Sequence, residues 1–295
     1  MRKRTLMTKI KNEYAGRIFS TLCGFFIIIL TITIIFFITS RGIQTFTKHG
    51  YPLSDFLFSG NWKASENKFG TFNFILGSGV VSLGAVIVST PLAICLAVFM
   101  NLISPRLGRK FLQPAMELFV GIPSVVYGWI GITVLIPFIK RSFGGLGFSM
   151  LAGIIVLSIM ILPTITSISS DTIKTIPQDY LEASYGLGAT RWQTIVKVII
   201  PSAKSGISTG VVLGMARAFG EALAVQMVIG NARIIPKNLL QPGSTLTSAI
   251  TMDMANTTTG SAWNAALWSM GLILLIVSFI FIVITRIISR RGDLH

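Results

Sequence analysis

Long apolar runs separated by shorter polar connections dominate the chain. Six of them, near 18–39, 74–100, 115–139, 149–169, 205–229 and 264–288, are long enough to span a bilayer. About twenty apolar residues, rising roughly 1.5 Å each in a helix, cross the hydrocarbon core. None of the runs alternates polar and apolar positions as a barrel strand does, and in lipid the backbone must satisfy its own polar groups. Each run therefore predicts a transmembrane helix. The third contains Pro123 and is bracketed by Pro114 and Pro137, and the fourth contains Pro163; both internal prolines are expected to bend their helices. The fifth reads as one helix.

The connections differ in length. The stretches at 41–73 and 231–263 read as polar loops, and 170–204 is the other long connection. The first apolar run, Ile18 to Ile38, follows a basic leader and resembles a signal peptide. At 21 residues it exceeds the h-region of about 7–15, and Thr39-Ser40-Arg41 follows it in place of a small-residue cleavage site. It predicts an uncleaved first transmembrane helix.

Charge sets the expected orientation. With the N-terminus inside, the inner stretches carry sixteen basic residues, among them Arg2, Lys3, Arg4, Arg106, Arg109, Lys110, Lys174, Arg191, Lys197 and Lys204. The outer stretches carry eight: Arg41, Lys48, Lys63, Lys68, Lys140, Arg141, Arg233 and Lys237. Both termini are thus expected in the cytoplasm, with 170–204 as the large cytoplasmic loop. Only 12% of the 295 residues are charged, about half the usual share of a soluble domain. The net charge of +15 is spread between apolar segments and does not form one nucleic-acid-binding patch. Cys23 and Cys95 each lie in an apolar run, and no clustered ligands suggest a metal or a disulfide framework. His49 reads as an exposed loop residue.

The cytoplasmic loop has its own helical signals. Around Ile176 to Ser184, Pro177 suits a first turn and Asp179 the positive dipole end. Gly186 and Gly188 supply a break. Thr190-Arg191-Trp192-Gln193 then fits a capping box that starts a second helix running to Pro201. The expected shape is a helix–turn–helix on the inner membrane face.

Within that loop Glu182-Ala183-Ser184, then Gly188, then Val198-Ile199-Ile200-Pro201 matches E-A-A-x3-G-x9-I-x-L-P. The pattern resembles that of permeases of ATP-binding-cassette (ABC) importers; Ser184 replaces the second Ala, and Val198 and Ile200 replace Ile and Leu. Gly121 to Gly128, Met160 to Thr164 and Arg217 to Glu221 resemble permeases of the high-affinity phosphate importer, over a stretch from about Trp62 to the C-terminus. Asn61-Trp62, Phe69-Gly70 and Gly77-Ser78 are more similar to its C-type than to its A-type permease.

The resemblance implies an all-α polytopic membrane protein with the type I importer permease (MetI-like) fold: six transmembrane helices and a cytoplasmic helix–turn–helix coupling loop. Its divisions would be an N-terminal tail at 1–17, a first transmembrane helix at 18–40 and an extracytoplasmic loop at 41–73. A permease domain at 74–288, with the coupling loop at 170–204, and a C-terminal tail at 289–295 would follow. It implies that Glu182, Ala183, Ser184, Gly188 and Pro201 serve ATPase coupling. Its implied partners are a second permease, a cytoplasmic ATPase dimer, an extracytoplasmic phosphate-binding protein, phosphate and membrane lipid, with no nucleic acid. No cofactor is expected in the chain itself, since ATP belongs to the ATPase. The sequence contains no G-x4-G-K-[ST], so the chain is not expected to be an enzyme.

Arg217 and Glu221 are the only charges in the fifth segment. Intramembrane charges cost at least about 2.5–3.5 kcal/mol at mid-bilayer on insertion scales. Their i,i+4 spacing predicts a pair on one helix face, either purely structural or poised to open for an anion that Arg217 would grip with its bidentate donors. Gly206, Gly210, Gly214, Ala218 and Ala222 form a small-residue stripe expected to pack a neighbouring helix, in this chain or the second permease. Glu117 is expected either at the membrane interface or beside a basic partner. Another oxyanion such as sulfate or molybdate stays open as cargo, and an ion-coupled secondary transporter as another class.

Overall fold

The computed structural model describes residues 15–290, so most of the tail at 1–17 and of that at 289–295 lies outside the described residues. The first helix, α1 (Ala15–Gly42), presents nearly every apolar side chain outward, as a lipid-facing helix does. It leans on the last helix, α12 (Ala262–Arg290), through an edge-on contact of Phe37 with Trp268 at 5.3 Å. Ser269 Oγ lies 2.5 Å from the Gly42 carbonyl, fixing the upper end of that pair.

The centre is built by α2 (Phe72–Val98), α6 (Met150–Lys174) and α9 (Lys204–Gly220). Their buried apolar cluster includes Val81, Ala85, Leu157, Ile161, Ile165, Met215 and Phe219. The small-residue stripe sets the approach of α9 to α6 within this chain. A Cβ on Gly210 would lie 3.3 Å from the Ile165 carbonyl, and one on Gly214 2.7 Å from Ile165 Cγ1. Without side chains there, the two backbones come close enough to exclude everything else.

Proline and glycine divide the remaining runs. The third becomes α3 (Gln113–Gly121), α4 (Ser124–Ile130), a π-helical turn at Gly131–Leu135, and α5 (Ile136–Phe143). The break falls at Pro123, which holds φ −57°, ψ 140°, and Tyr127 Oη donates to the Phe119 carbonyl at 2.7 Å across it. Pro163 instead lies within the uninterrupted α6. The fifth run departs from the single helix predicted. Its helix α9 stops at Gly220, and α10 (Leu223–Ile229) starts after an extended Glu221. A further bend of 67° separates Arg191–Ser202 from α9. By length and composition the chain offers five spanning helices among the described residues, or six if that bent pair is one span.

The connections at 41–73 and 231–263 are folded structures, where polar loops were expected. A short helix, Leu53–Phe58, precedes a hairpin of β1 (Trp62–Lys63) and β2 (Lys68–Phe69), paired Trp62 to Phe69 and Lys63 to Lys68. In its turn Lys68 and Lys63 both reach Glu66, holding that carboxyl below its usual range, mainly through the Lys68 hydrogen bond. The second connection contributes α11 (Leu246–Asp253). Phe56, Trp62, Phe69, Phe74, Leu246, Leu267 and Met270 join the two connections to α2 and α12 in one buried cluster. His49 is likewise not the exposed residue expected: it is half-buried, and its Nε2 is buried without a partner among the described residues.

Candidate functional site

Two regions concentrate the predicted residues, one beyond the end of α2 and one at the break after α9. At the end beyond Val98, α7 (Gln178–Gly186) starts from Pro177 as its N-cap, one position before the expected first turn. Gly188 adopts φ +79°, a left-handed conformation in which only glycine avoids a Cβ penalty. That conformation lets Gly188 N donate to the Tyr185 carbonyl at 2.9 Å and Ala189 N to the Ser184 carbonyl at 3.1 Å. These are the two bonds of a Schellman C-terminus. Gly186, by contrast, is still helical.

The next helix, α8 (Arg191–Thr194), opens with the capping box expected at Thr190 and Gln193, both of its bonds being present. It does not run to Pro201 as one α-helix. A π-helical turn at Ile195–Ile199 leads to a last short turn, Ile200–Ser202, with Pro201 in its opening positions. Ser184 is buried and lies 2.9 Å from Thr194 Oγ1, which ties α7 to α8. Arg191 donates to the Leu102 and Ile103 carbonyls, joining the pair to the π-helical turn Phe99–Ile103 that follows α2.

Glu182, Ala183 and Gly188 remain exposed, and Leu187, at 89%, is the most exposed of the large apolar side chains. Beside them lies a cavity of about 620 Å³ lined by Tyr180, Ala183, Ser184, Leu187, Gln193 and Lys197. The segment thus presents Leu187 and Ala183 with Gln193 and Lys197 on a capped, hydrogen-bonded turn.

The second region surrounds the break after α9. Arg217 and Glu221 do not form the i,i+4 pair that a continuous helix predicts. Arg217 Nη1 donates to Thr164 Oγ1 at 3.2 Å, whereas Glu221 Oε1 accepts from Ala224 N at 2.9 Å. The reason is local: with Gly220 ending α9 and Glu221 extended, the carboxylate turns forward to cap the next helix. Both residues are half-buried. The guanidinium keeps most of its donors free of protein acceptors among the described residues. Thr247 Oγ1 donates to the Glu221 carbonyl at 2.9 Å, and Thr251 Oγ1 lies 2.6 Å from Gln226 Oε1. Sequence reasoning missed Thr247 and Thr251 because a Ser/Thr-rich stretch read as loop, and Gln226 because it lies inside the fifth apolar run. Glu117, for its part, is exposed and accepts from Gln113 Nε2 at 3.2 Å, with no basic side chain paired to it among the described residues.

The geometry is that of a helical bundle with apolar spans, a helix break beside a half-buried arginine and a capped helix–turn–helix. Residues 89–293 match the family described as the binding-protein-dependent transport system inner membrane component, and the chain belongs to that family. Among its relatives is the probable ABC transporter permease protein YqgH of Bacillus subtilis (strain 168), 51% identical, with 95% of this chain and 92% of that one covered. The phosphate transport system permease protein PstC of Mesorhizobium japonicum is 36% identical, with 81% and 79% covered. A PstC of Xylella fastidiosa (strain 9a5c) is 34% identical, with 80% and 78% covered. The resemblance read from the motifs is thereby borne out.

Two solved structures share the fold. A bacterial alginate ABC transporter, in complex with an alginate pentasaccharide-bound periplasmic protein, aligns at TM-score 0.66 and 15% identity over 98% of both chains. An inward-facing MetNI methionine ABC transporter aligns at TM-score 0.56 and 19% identity, with 76% of this chain and 94% of that one covered. The type I importer permease fold expected from the sequence is the observed one.

Proposed function

We propose that this chain is the PstC-type permease subunit of an ATP-driven phosphate importer. It forms the anion path together with a second permease and is driven by a cytoplasmic ATPase dimer. The observation that carries the reading is the capped turn at Gln178–Thr194, whose exposed Glu182, Ala183, Leu187 and Gly188 stand next to a cavity on a rigid scaffold. Its agreement with relatives named as phosphate permeases supports the cargo.

Both termini are cytoplasmic in this assignment, because the basic residues concentrate on the side of Arg191 and Lys197. The opposite face, where Lys63, Lys68 and Arg233 are exposed, receives the extracytoplasmic phosphate-binding protein. Phosphate passes Arg217, whose unengaged donors suit an oxyanion. Glu221 holds the break in α9–α10 and keeps a carboxylate close to the path. Nucleotide hydrolysis belongs to the ATPase alone, and this chain needs no cofactor. Glu182, Ala183, Gly188 and Pro201 shape the contact with the ATPase, while Ser184 supports that contact from behind through Thr194.

Uptake of radiolabelled phosphate and sulfate in a strain lacking the gene, with and without a plasmid copy, tests the assignment. Restoration of phosphate uptake alone is expected. Restoration of sulfate uptake alone, or phosphate uptake independent of the ATPase, refutes it.

A further inference from the structure

Asp253 ends α11 at only 4% exposure, and its carboxylate is held by two donors from distant parts of the chain. Trp62 Nε1 donates to Oδ2 at 3.1 Å, and Arg233 Nη2 to Oδ1 at 2.7 Å. The surrounding cluster is apolar, and a buried charge is costly unless it is paired and hydrogen-bonded. An uncharged apolar residue would fill the same space. What the anion adds is a fixed register between β1, the connection carrying Arg233, and α11.

The other end of α11 reaches the anion path. Leu246 N donates to Ser78 Oγ of α2 at 2.9 Å, and Thr247 Oγ1 donates to the Glu221 carbonyl at 2.9 Å. One turn further on, Thr251 Oγ1 meets the Gln226 side chain of α10. The eight-residue α11 is therefore gripped by the outer connections at Asp253 and by the helix break at Glu221. Arg233, 42% exposed at its side chain, is the member of the cluster that a docked protein can reach.

We propose that Asp253 is a positioning residue for transport. Through it, engagement of the outer face by the phosphate-binding protein shifts α11 and, with α11, the Glu221 break beside Arg217. The proposal rests on the functional assignment above, which places that protein on the Trp62 face. A rigid element held at both ends can carry a displacement, whereas a loop would absorb it.

The test uses the complete complex in proteoliposomes, with both permeases, the ATPase and the phosphate-binding protein. Asp253→Asn keeps the side-chain volume and one carbonyl acceptor but removes the charge that orders both donors. Wild-type assembly, basal ATP hydrolysis and binding-protein affinity are expected, with stimulation of hydrolysis and uptake by loaded binding protein reduced about tenfold. Trp62→Phe leaves an aromatic ring beside Phe69 and Phe74, and it is expected to give the same split more weakly. Wild-type stimulation in both variants overturns the proposal. So does a proportionate loss of assembly, basal and stimulated activity in both, which is the signature of a clasp that only holds the fold. If the wild-type complex itself is not stimulated by the binding protein, the functional assignment fails, and the proposal with it.

Discussion

Gly188 is where backbone conformation and coupling can be separated experimentally. Its φ of +79° is one that an L-residue adopts at a cost of about 1–2 kcal/mol, and a Cβ there would meet nothing within 4 Å. A substitution therefore acts through the backbone and not through a clash inside this chain. The cost falls on the two Schellman bonds to Tyr185 and Ser184, and so on the angle between α7 and α8. A penalty of this size lowers the population of the native turn by a factor of roughly 5–30. Gly188→Val, β-branched and poor at positive φ, is expected to uncouple ATP hydrolysis from phosphate uptake or to weaken ATPase association. Gly188→Asn, of similar size but tolerant of the left-handed region, should retain most of both activities. The assay is copurification of the ATPase together with phosphate-stimulated hydrolysis and uptake in proteoliposomes. Equal damage from Val and Asn would mean that bulk against the ATPase matters and backbone strain does not. Wild-type behaviour of the Val variant would remove this turn from the coupling role altogether.

Arg217→Ala is expected to abolish phosphate uptake in an assembled complex, and Arg217→Lys to retain only part of it, since a point charge lacks the planar fork; unchanged uptake kinetics in the Ala variant would exclude Arg217 from the path. Glu221→Ala removes the acceptor for Ala224 N and should destabilise the start of α10 by about 0.5–2 kcal/mol, seen as a lower thermal midpoint of the detergent-solubilised complex. Glu221→Gln keeps a carbonyl acceptor, so a normal midpoint with altered uptake would separate the charge of Glu221 from its capping role. Gly214→Leu places atoms where Ile165 already sits and should cost about 1–3 kcal/mol, with reduced yield of folded complex. Gly79→Ala, with open space at its Cβ, is the control and should leave the yield unchanged or slightly raised.

What could be read before the structure depended on how local the determinant was. Five of the six spanning runs, the Thr190–Gln193 capping box and the close packing of α9 at Gly206, Gly210 and Gly214 each follow from residues a few positions apart, and each is observed. Arg217 and Glu221 were visible as intramembrane charges, but their pairing assumed an unbroken helix. Gly220 and the extended Glu221 break it, and nothing in an apolar run of that composition distinguishes Gly220, where the helix ends, from Gly210 and Gly214, where it packs. The long-range partners were beyond reach for a different reason. Thr164 meets Arg217 across 53 positions and Trp62 meets Asp253 across 191, so only the fold brings them together. A buried carboxylate does leave one trace in sequence: Asp253 is the only acidic residue between Glu221 and Asp293. Isolated in a stretch otherwise rich in Ser, Thr and Asn, it could equally have been a solvated loop residue. The two readings diverge only once Asp253 is seen to be buried and held by Trp62 and Arg233. The local motif at Glu182–Gly188 thus points to the family, whereas the contacts that hold Asp253 span most of the chain.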